Sequence, residues 1–212
     1  MSREPFRTVT GAAAPLLRPN LDTDVIIRID RMVSTRPAAL APFAFEAIRY
    51  CADGSDNPDF ALNHDRFRGA PILIGGPNFG CGSSREPAVW AIMGLGIRCI
   101  VAPSFGDIFR ANCHQNGLLP IVLEETDVAD LAAVAASGAP VTVDLQAQRV
   151  TASERVWCFT IGANQRVALL DGLDDLDLAL RDLDGIRTWE HADRELRPWA
   201  WITTRPGKRS TA

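Results

Sequence analysis

The stretch Pro71-Ile-Leu-Ile-Gly-Gly-Pro-Asn-Phe-Gly-Cys-Gly-Ser-Ser-Arg-Glu86 sets three aliphatic residues ahead of a loop broken by four glycines. A short apolar run bounded by turn residues reads as a buried strand, here Ile72 to Gly75. After the loop, Ala88, Ala91, Ile92 and Leu95 recur at helical spacing, so Ser84 to Leu95 is expected to be a helix. Ser83 and Glu86 have the spacing of a capping box, which would start that helix at Ser83. Pro87 would then fall within its first turns, and a start at Pro87 is the alternative.

The same punctuation continues downstream. Ile97 to Ala102 reads as a strand, Ser104 to Asn116 as a helix stopped by Gly117, and Leu118 to Leu123 as a third strand. Strands alternating with helices of this length imply parallel pairing, so the expected fold class is α/β. Thr126 to Ala136 reads as a further helix capped by Thr126 or Asp127. Val141, Val143 and Leu145 alternate, and with Val150 and the run Val156 to Ile161 they indicate a β-hairpin element. Asn164 to Arg181 reads as an interrupted helix with a solvated acidic face. Upstream, Pro37, Pro42, Gly54 and Pro58 give residues 34–65 the composition of a loop-rich, mobile segment. One domain over residues 1–200 and a polar tail over 201–212 complete the expected organisation.

Composition removes several functions. The chain has 212 residues and 47% hydrophobic content, enough for one full core. Its apolar runs fall far short of the roughly 18 residues of a membrane span. With no basic-then-apolar leader, the expected compartment is the cytoplasm. The formal charge of -4, with no long basic stripe, argues against nucleic acid. Lys208 is the sole lysine and lies in the tail, which removes Schiff-base and Walker-type chemistry. Three scattered histidines and five cysteines without a C-x-x-C pair support neither a zinc site nor a cluster held by this chain. Cys81 is read as a small wall residue of the loop.

The residues from Asn78 to Glu86 therefore carry the chemistry. Glycines leave room for a ligand against the backbone, a helix N-terminus favours an anion, and Arg85 offers a charged fork to a carboxylate or phosphate. The plain alternative stays open: Ser83 caps a helix, Ser84 is solvated, and Arg85 pairs with a nearby acid. A dinucleotide fingerprint does not fit the glycine spacing.

This loop occurs in order with Asn20-Leu-Asp-Thr-Asp-Val-Ile-Ile27, Ala102-Pro-Ser-Phe-Gly-Asp-Ile-Phe109 and Asn116-Gly-Leu-Leu-Pro-Ile121. Together with Asn57-Pro-Asp-Phe60 and Leu169-Leu-Asp-Gly172, the set resembles the small-subunit family of the 3-isopropylmalate dehydratases, in the aconitase superfamily, from about Leu17 to Arg187. The resemblance implies a swivelling β/β/α domain with a mainly parallel central sheet, flanking helices and the hairpin element. It implies a hydro-lyase subunit interconverting 2- and 3-isopropylmalate in leucine biosynthesis. It further implies a partner large subunit that holds a [4Fe-4S] cluster, with no cofactor bound by this chain and a homo-oligomer possible when it is isolated. By position, Ser83 matches the serine that exchanges the carbon-bound proton, while Ser84 and Arg85 match residues holding substrate carboxylates. Asp24 matches a family acid that orients Ser83 or Arg85; as residues alone, it reads equally as a turn or cap aspartate.

Two departures from the family pattern bear on the substrate. Pro87-Ala-Val-Trp90 replaces the usual histidine followed by alanine-proline-tryptophan, and residues 34–47 lack the common glycine-rich, phenylalanine-tryptophan character. Related substrates such as 2-methylmalate, dimethylmaleate or homoaconitate, or a non-catalytic dicarboxylate-binding role, are the alternatives.

Overall fold

A computed structural model of the chain describes residues 3–32, 36–83 and 85–201. These fall into two compact units, Met1–Asp174 and Asp175–Ala212. The 201–212 tail lies almost wholly outside the described residues.

The first unit is built on two four-stranded sheets. Strands β2 (Ala13–Leu16), β3 (Ile72–Gly75), β4 (Cys99–Ala102) and β5 (Leu119–Val122) form a parallel sheet in that order. Strand β1 (Thr8–Gly11) pairs antiparallel with β6 (Val141–Asp144), followed by β7 (Arg149–Ala152) and β8 (Arg155–Cys158). The expected hairpin is thus a three-stranded meander, extended by a strand from the N-terminus.

Burial on both faces explains why the parallel strands read as continuous apolar runs. Successive side chains point to opposite sides, and each side fills its own core. Leu73, Ile100 and Ala102 enter one cluster, where they meet Ala88, Val89, Ala91 and Ile92 of helix α4 (Glu86–Gly94) and Phe109 and Cys113 of α5 (Asp107–Asn116). Ile72, Ile74, Cys99 and Val101 enter the other, against Val141, Val143, Val150 and Trp157 of the antiparallel sheet. Helix α6 (Glu125–Ala136) adds Val128, Leu131 and Ala135 to this second core, and α7 (Ala163–Asp171) adds Leu169. The layers are helix, parallel sheet and antiparallel sheet, as the β/β/α expectation requires.

Three local expectations are corrected. Helix α4 starts at Glu86, with Arg85 as its N-cap residue and no side-chain cap. Glu86 does not reach back to a cap amide, because its Oε1 accepts from Asn116 Nδ2 at 2.9 Å, while Asn116 Oδ1 accepts from Trp90 Nε1 at 2.8 Å. Pro87 then sits in the first turn, where a missing N–H removes no intrahelical bond. Helix α6 begins after Glu124, so neither Thr126 nor Asp127 caps it.

The third correction concerns the loop-rich segment. Its described part folds into short helical turns: α2 (Pro37–Leu40), the 3-10 turn Ala41–Phe43, α3 (Glu46–Arg49), and the turns Ala61–Asn63 and Asp65–Phe67. Leu40, Ala44, Phe45 and Phe60 are buried in the helix-side core. Asn57 and Asn63 side chains donate to the carbonyls of Ile48 and Arg49, at 2.8 and 2.7 Å. Polar and proline-rich composition hid four apolar anchors spaced too irregularly to show a period.

The second unit contains α8 (Asp175–Leu180) and α9 (Leu183–Leu196). Near its end Asp193, a buried carboxylate, accepts from Arg197 Nε at 2.6 Å and Trp201 Nε1 at 3.0 Å. That clamp turns the chain back after α9.

Ile100 is fully buried at the centre of the parallel sheet. Ile100→Ala is expected to lower unfolding stability by about 2–5 kcal/mol, whereas Val156→Ala, on an exposed strand position, should stay within about 0.5 kcal/mol. Urea unfolding of both variants checks this; equal, small changes would contradict the two-faced core.

Candidate active site

The loop between β3 and α4 is held from one side by the segment Asn20 to Asp24. Asn20 N donates to Pro77 O at 2.9 Å, Gly80 N to Leu21 O at 2.8 Å, and Thr23 N to Cys81 O at 2.9 Å. Asn78 Nδ2 donates to Asn20 Oδ1 at 2.8 Å. From the other side, Ser104 Oγ accepts from Asn78 N at 2.8 Å, and Phe79 and Gly106 pair through Gly106 N to Phe79 O at 2.9 Å. The loop is therefore a surface turn with its backbone hydrogen bonds largely satisfied by two neighbours.

Two glycines are required by this packing. Gly80 has φ +71°, and a Cβ there would lie 2.2 Å from Cγ of Phe109. Gly82 has φ +89°, and a Cβ would lie 2.2 Å from Asp22 Oδ2. Both positions combine a left-handed backbone with close approach.

Asp22 caps α1 (Thr23–Ile26), its Oδ1 accepting from Asp24 N at 2.7 Å. This turn aims two side chains at the loop. Thr23, 1% exposed, donates its Oγ1 to the carbonyl of Ser83 at 2.9 Å. Asp24 Oδ1 contacts Arg85 Nη1 in an ion pair, with Arg85 mostly buried and Asp24 about half exposed. Of the two partners considered for Asp24 from the sequence, the ion pair is with Arg85.

Ser83 itself is exposed and lines a cavity of about 380 Å³, together with Asn78, Gly80, Cys81, Gly82 and the 105–109 segment. That volume lies in the range of small-molecule sites. Asp24 and Arg85 lie beside the loop, outside the cavity lining. Ser84 lies outside the described residues. Thr23 and the start of α5 fell within motifs of the sequence but carried no role there. Thr23 stands between two acids that drew attention first, and Ile108 looks like any apolar position of a helix until the chain folds.

Other reactive groups lie elsewhere. Burial pushes the Cys99 and Cys113 thiols well above their usual range, so both are core side chains. His114 is held neutral, its pKa lowered to about 4 by burial and then by the nearby Arg110. Among the described residues no group of three or more His, Cys, Asp or Glu is placed to hold a metal ion, and no helix is long and apolar enough to cross a membrane.

Comparison with known proteins bears on the chain as a whole. The family described as "Aconitase C-terminal domain" matches residues 3–126. A 3-isopropylmalate dehydratase small subunit from Roseobacter denitrificans is 45% identical over 197 residues, 92% of this chain and 98% of its own length. The protein of that name from Teredinibacter turnerae is 44% identical over 205 residues, 92% of this chain and 95% of its own. The solved structure of a 3-isopropylmalate dehydratase from Methanocaldococcus jannaschii superposes with a TM-score of 0.63 at 28% identity, covering 85% of this chain and 99% of the other. With the dehydratase-type loop seated between two bracing segments and a match along nearly its whole length, the chain belongs to the 3-isopropylmalate dehydratase small-subunit family, within the aconitase C-terminal domain family.

Proposed function

We propose that this chain is the small subunit of a hydro-lyase that interconverts 2- and 3-isopropylmalate by dehydration and rehydration, in leucine biosynthesis and in the cytoplasm. The observation that carries the reading is Ser83 lining an open cavity while Thr23 holds its carbonyl, in a chain of this family. Ser83 Oγ removes the proton from the carbon next to the hydroxyl-bearing one, the C–H electron pair becomes the double bond, and the same serine returns the proton during rehydration. A partner large subunit, on which we place a [4Fe-4S] cluster because this family of dehydratases implies one, would supply the Lewis acid for loss of the hydroxyl.

A serine hydroxyl is far too weak an acid to ionise unaided near neutrality, so its environment must favour the anion. Arg85 has five N–H donors, and the Asp24 contact is made through Nη1. Asp24 thus orients the guanidinium, and Arg85 and Ser84 take a substrate carboxylate. A bound carboxylate would draw the guanidinium partly away from Asp24. In the free chain that acid partly offsets the positive charge.

Co-expression with the large subunit, followed by an assay of 2-isopropylmalate dehydration, tests the reading. Ser83→Ala is expected to abolish turnover while the two subunits still co-purify; turnover retained near the wild-type rate would refute the base assignment. Thr23→Val removes the hydroxyl that fixes the Ser83 carbonyl, and kcat is expected to fall about tenfold or more as the serine loses its alignment. Steady-state rates at saturating substrate read this out, and an unchanged kcat would show that the bond is only structural.

A further inference from the structure

Helix α4 begins at the residue after Arg85 and has no side-chain cap, so its start is fixed by something other than a cap. Asn116, the last residue of α5, supplies the tie. Its Nδ2 donates to Glu86 Oε1 at 2.9 Å and to the carbonyl of Asn112, in its own helix, at 2.9 Å. Its Oδ1 accepts from Trp90 Nε1 at 2.8 Å. Both ends of the amide are engaged, which leaves the side chain one orientation. Glu86 and Trp90 are four residues apart and share a face of α4, so this single amide holds that face at its first turn and again one turn further along.

The tie matters because of what precedes it. Arg85 is the N-cap residue of α4, its side chain is mostly buried, and it pairs with Asp24 through Nη1. Asp24 thus fixes the tip of the side chain, while the start of α4 fixes its root, where the Arg85 carbonyl accepts from Ala88 N at 3.1 Å. Released from Asn116, the Glu86 carboxylate stands at capping-box spacing from Ser83 and is free to accept from the Ser83 amide. Pro87 opposes carrying the helix back to Ser83, because its ring would crowd the Ser83 carbonyl, but it does not block that side-chain bond. Asn116 draws Glu86 away from the loop.

We infer that Asn116 is a positioning residue: through Glu86 it fixes the start of α4, and with it the place from which Arg85 reaches a substrate carboxylate. Asn116 lies outside the lining of the Ser83 cavity, so it acts only through its neighbours. The inference rests on the proposed dehydratase reading and adds what holds the anion-binding residue of that reading in place.

The test measures kcat and KM for 2-isopropylmalate in the complex of both subunits, with co-elution in gel filtration as the control for assembly. Asn116→Ala is expected to raise KM and to lower kcat/KM about tenfold. Asn116→Asp sets two carboxylates against each other and is expected to cost at least as much. Adding Glu86→Gln to Asn116→Asp supplies a donor to the new carboxylate and is expected to restore kcat/KM to within about threefold of wild type. In an Arg85→Lys complex, where the planar fork is already lost, Asn116→Ala is expected to cost less than about twofold more. A full further loss in that background overturns the inference, by showing that the bond supports the fold and not Arg85. A kcat/KM unchanged by Asn116→Ala, while the wild-type complex turns over 2-isopropylmalate, also overturns it and leaves the dehydratase reading standing. Where Asn116→Ala does not co-elute, the paired Asn116→Asp and Glu86→Gln variant decides, and absence of rescue overturns the inference. A wild-type complex inactive on 2-isopropylmalate refutes the dehydratase reading and the inference with it.

Discussion

Everything at the site depends on the backbone pairing between Asn20 to Asp24 and the glycine loop. Three main-chain hydrogen bonds, Asn20 to Pro77, Gly80 to Leu21 and Thr23 to Cys81, span a segment that is far away in sequence. A glycine-rich turn on its own would sample many conformations, since glycine loses more freedom on ordering than any other residue. Here the second segment removes that freedom and delivers the Thr23 hydroxyl and the Asp24 carboxylate to adjacent points of the same loop. Ser83 is thus held through its carbonyl by a residue sixty positions upstream.

That pairing is possible because the parallel sheet places both segments at one end. Strands β2 and β3 are neighbours and run in the same direction, so the chain leaving each of them emerges on the same edge. The turn after β4 arrives there too, bringing Ser104, Phe105 and Gly106 against Asn78 and Phe79. A ligand site just beyond the carboxyl ends of parallel strands is the general outcome in open α/β sheets. The two apolar cores fix the sheet, and the sheet fixes the register of the three loops.

The sequence shows the periodic parts of this design plainly. Strands β3, β4 and β5 and helices α5 and α6 fall within a few residues of their expected bounds, because a buried parallel strand is an unbroken apolar run and a helix ends at a glycine such as Gly117, at φ +81°. Strands β1 and β2 were not legible: Thr8–Gly11 has a single aliphatic residue, and Ala13 and Ala14 are buried without the bulk of a typical strand residue. The helical turns of the 36–67 segment were equally hidden, since their buried anchors are single, irregularly spaced residues and the turns are tied together by asparagine side chains donating to backbone carbonyls.

For the site, residue identities were readable and their partnerships were not. Ser83, Arg85 and Asp24 stood out by motif, and the resemblance offered Ser83 or Arg85 as the partner of Asp24, yet nothing in one dimension chooses between those two or sets Thr23 under Ser83. The misread capping box has the same origin, because Glu86 is committed to Asn116, thirty residues away. Local spacing offered a local partner, and tertiary packing supplied a better one.

The most direct measurement is a crystal structure of the two-subunit complex with 2-isopropylmalate bound, reading the distance from Ser83 Oγ to the substrate carbon that gives up its proton. The account predicts a separation of about 3–3.5 Å, with the Thr23 bond to Ser83 intact. A Ser83 hydroxyl turned away from that carbon, with another side chain in its place, would contradict it.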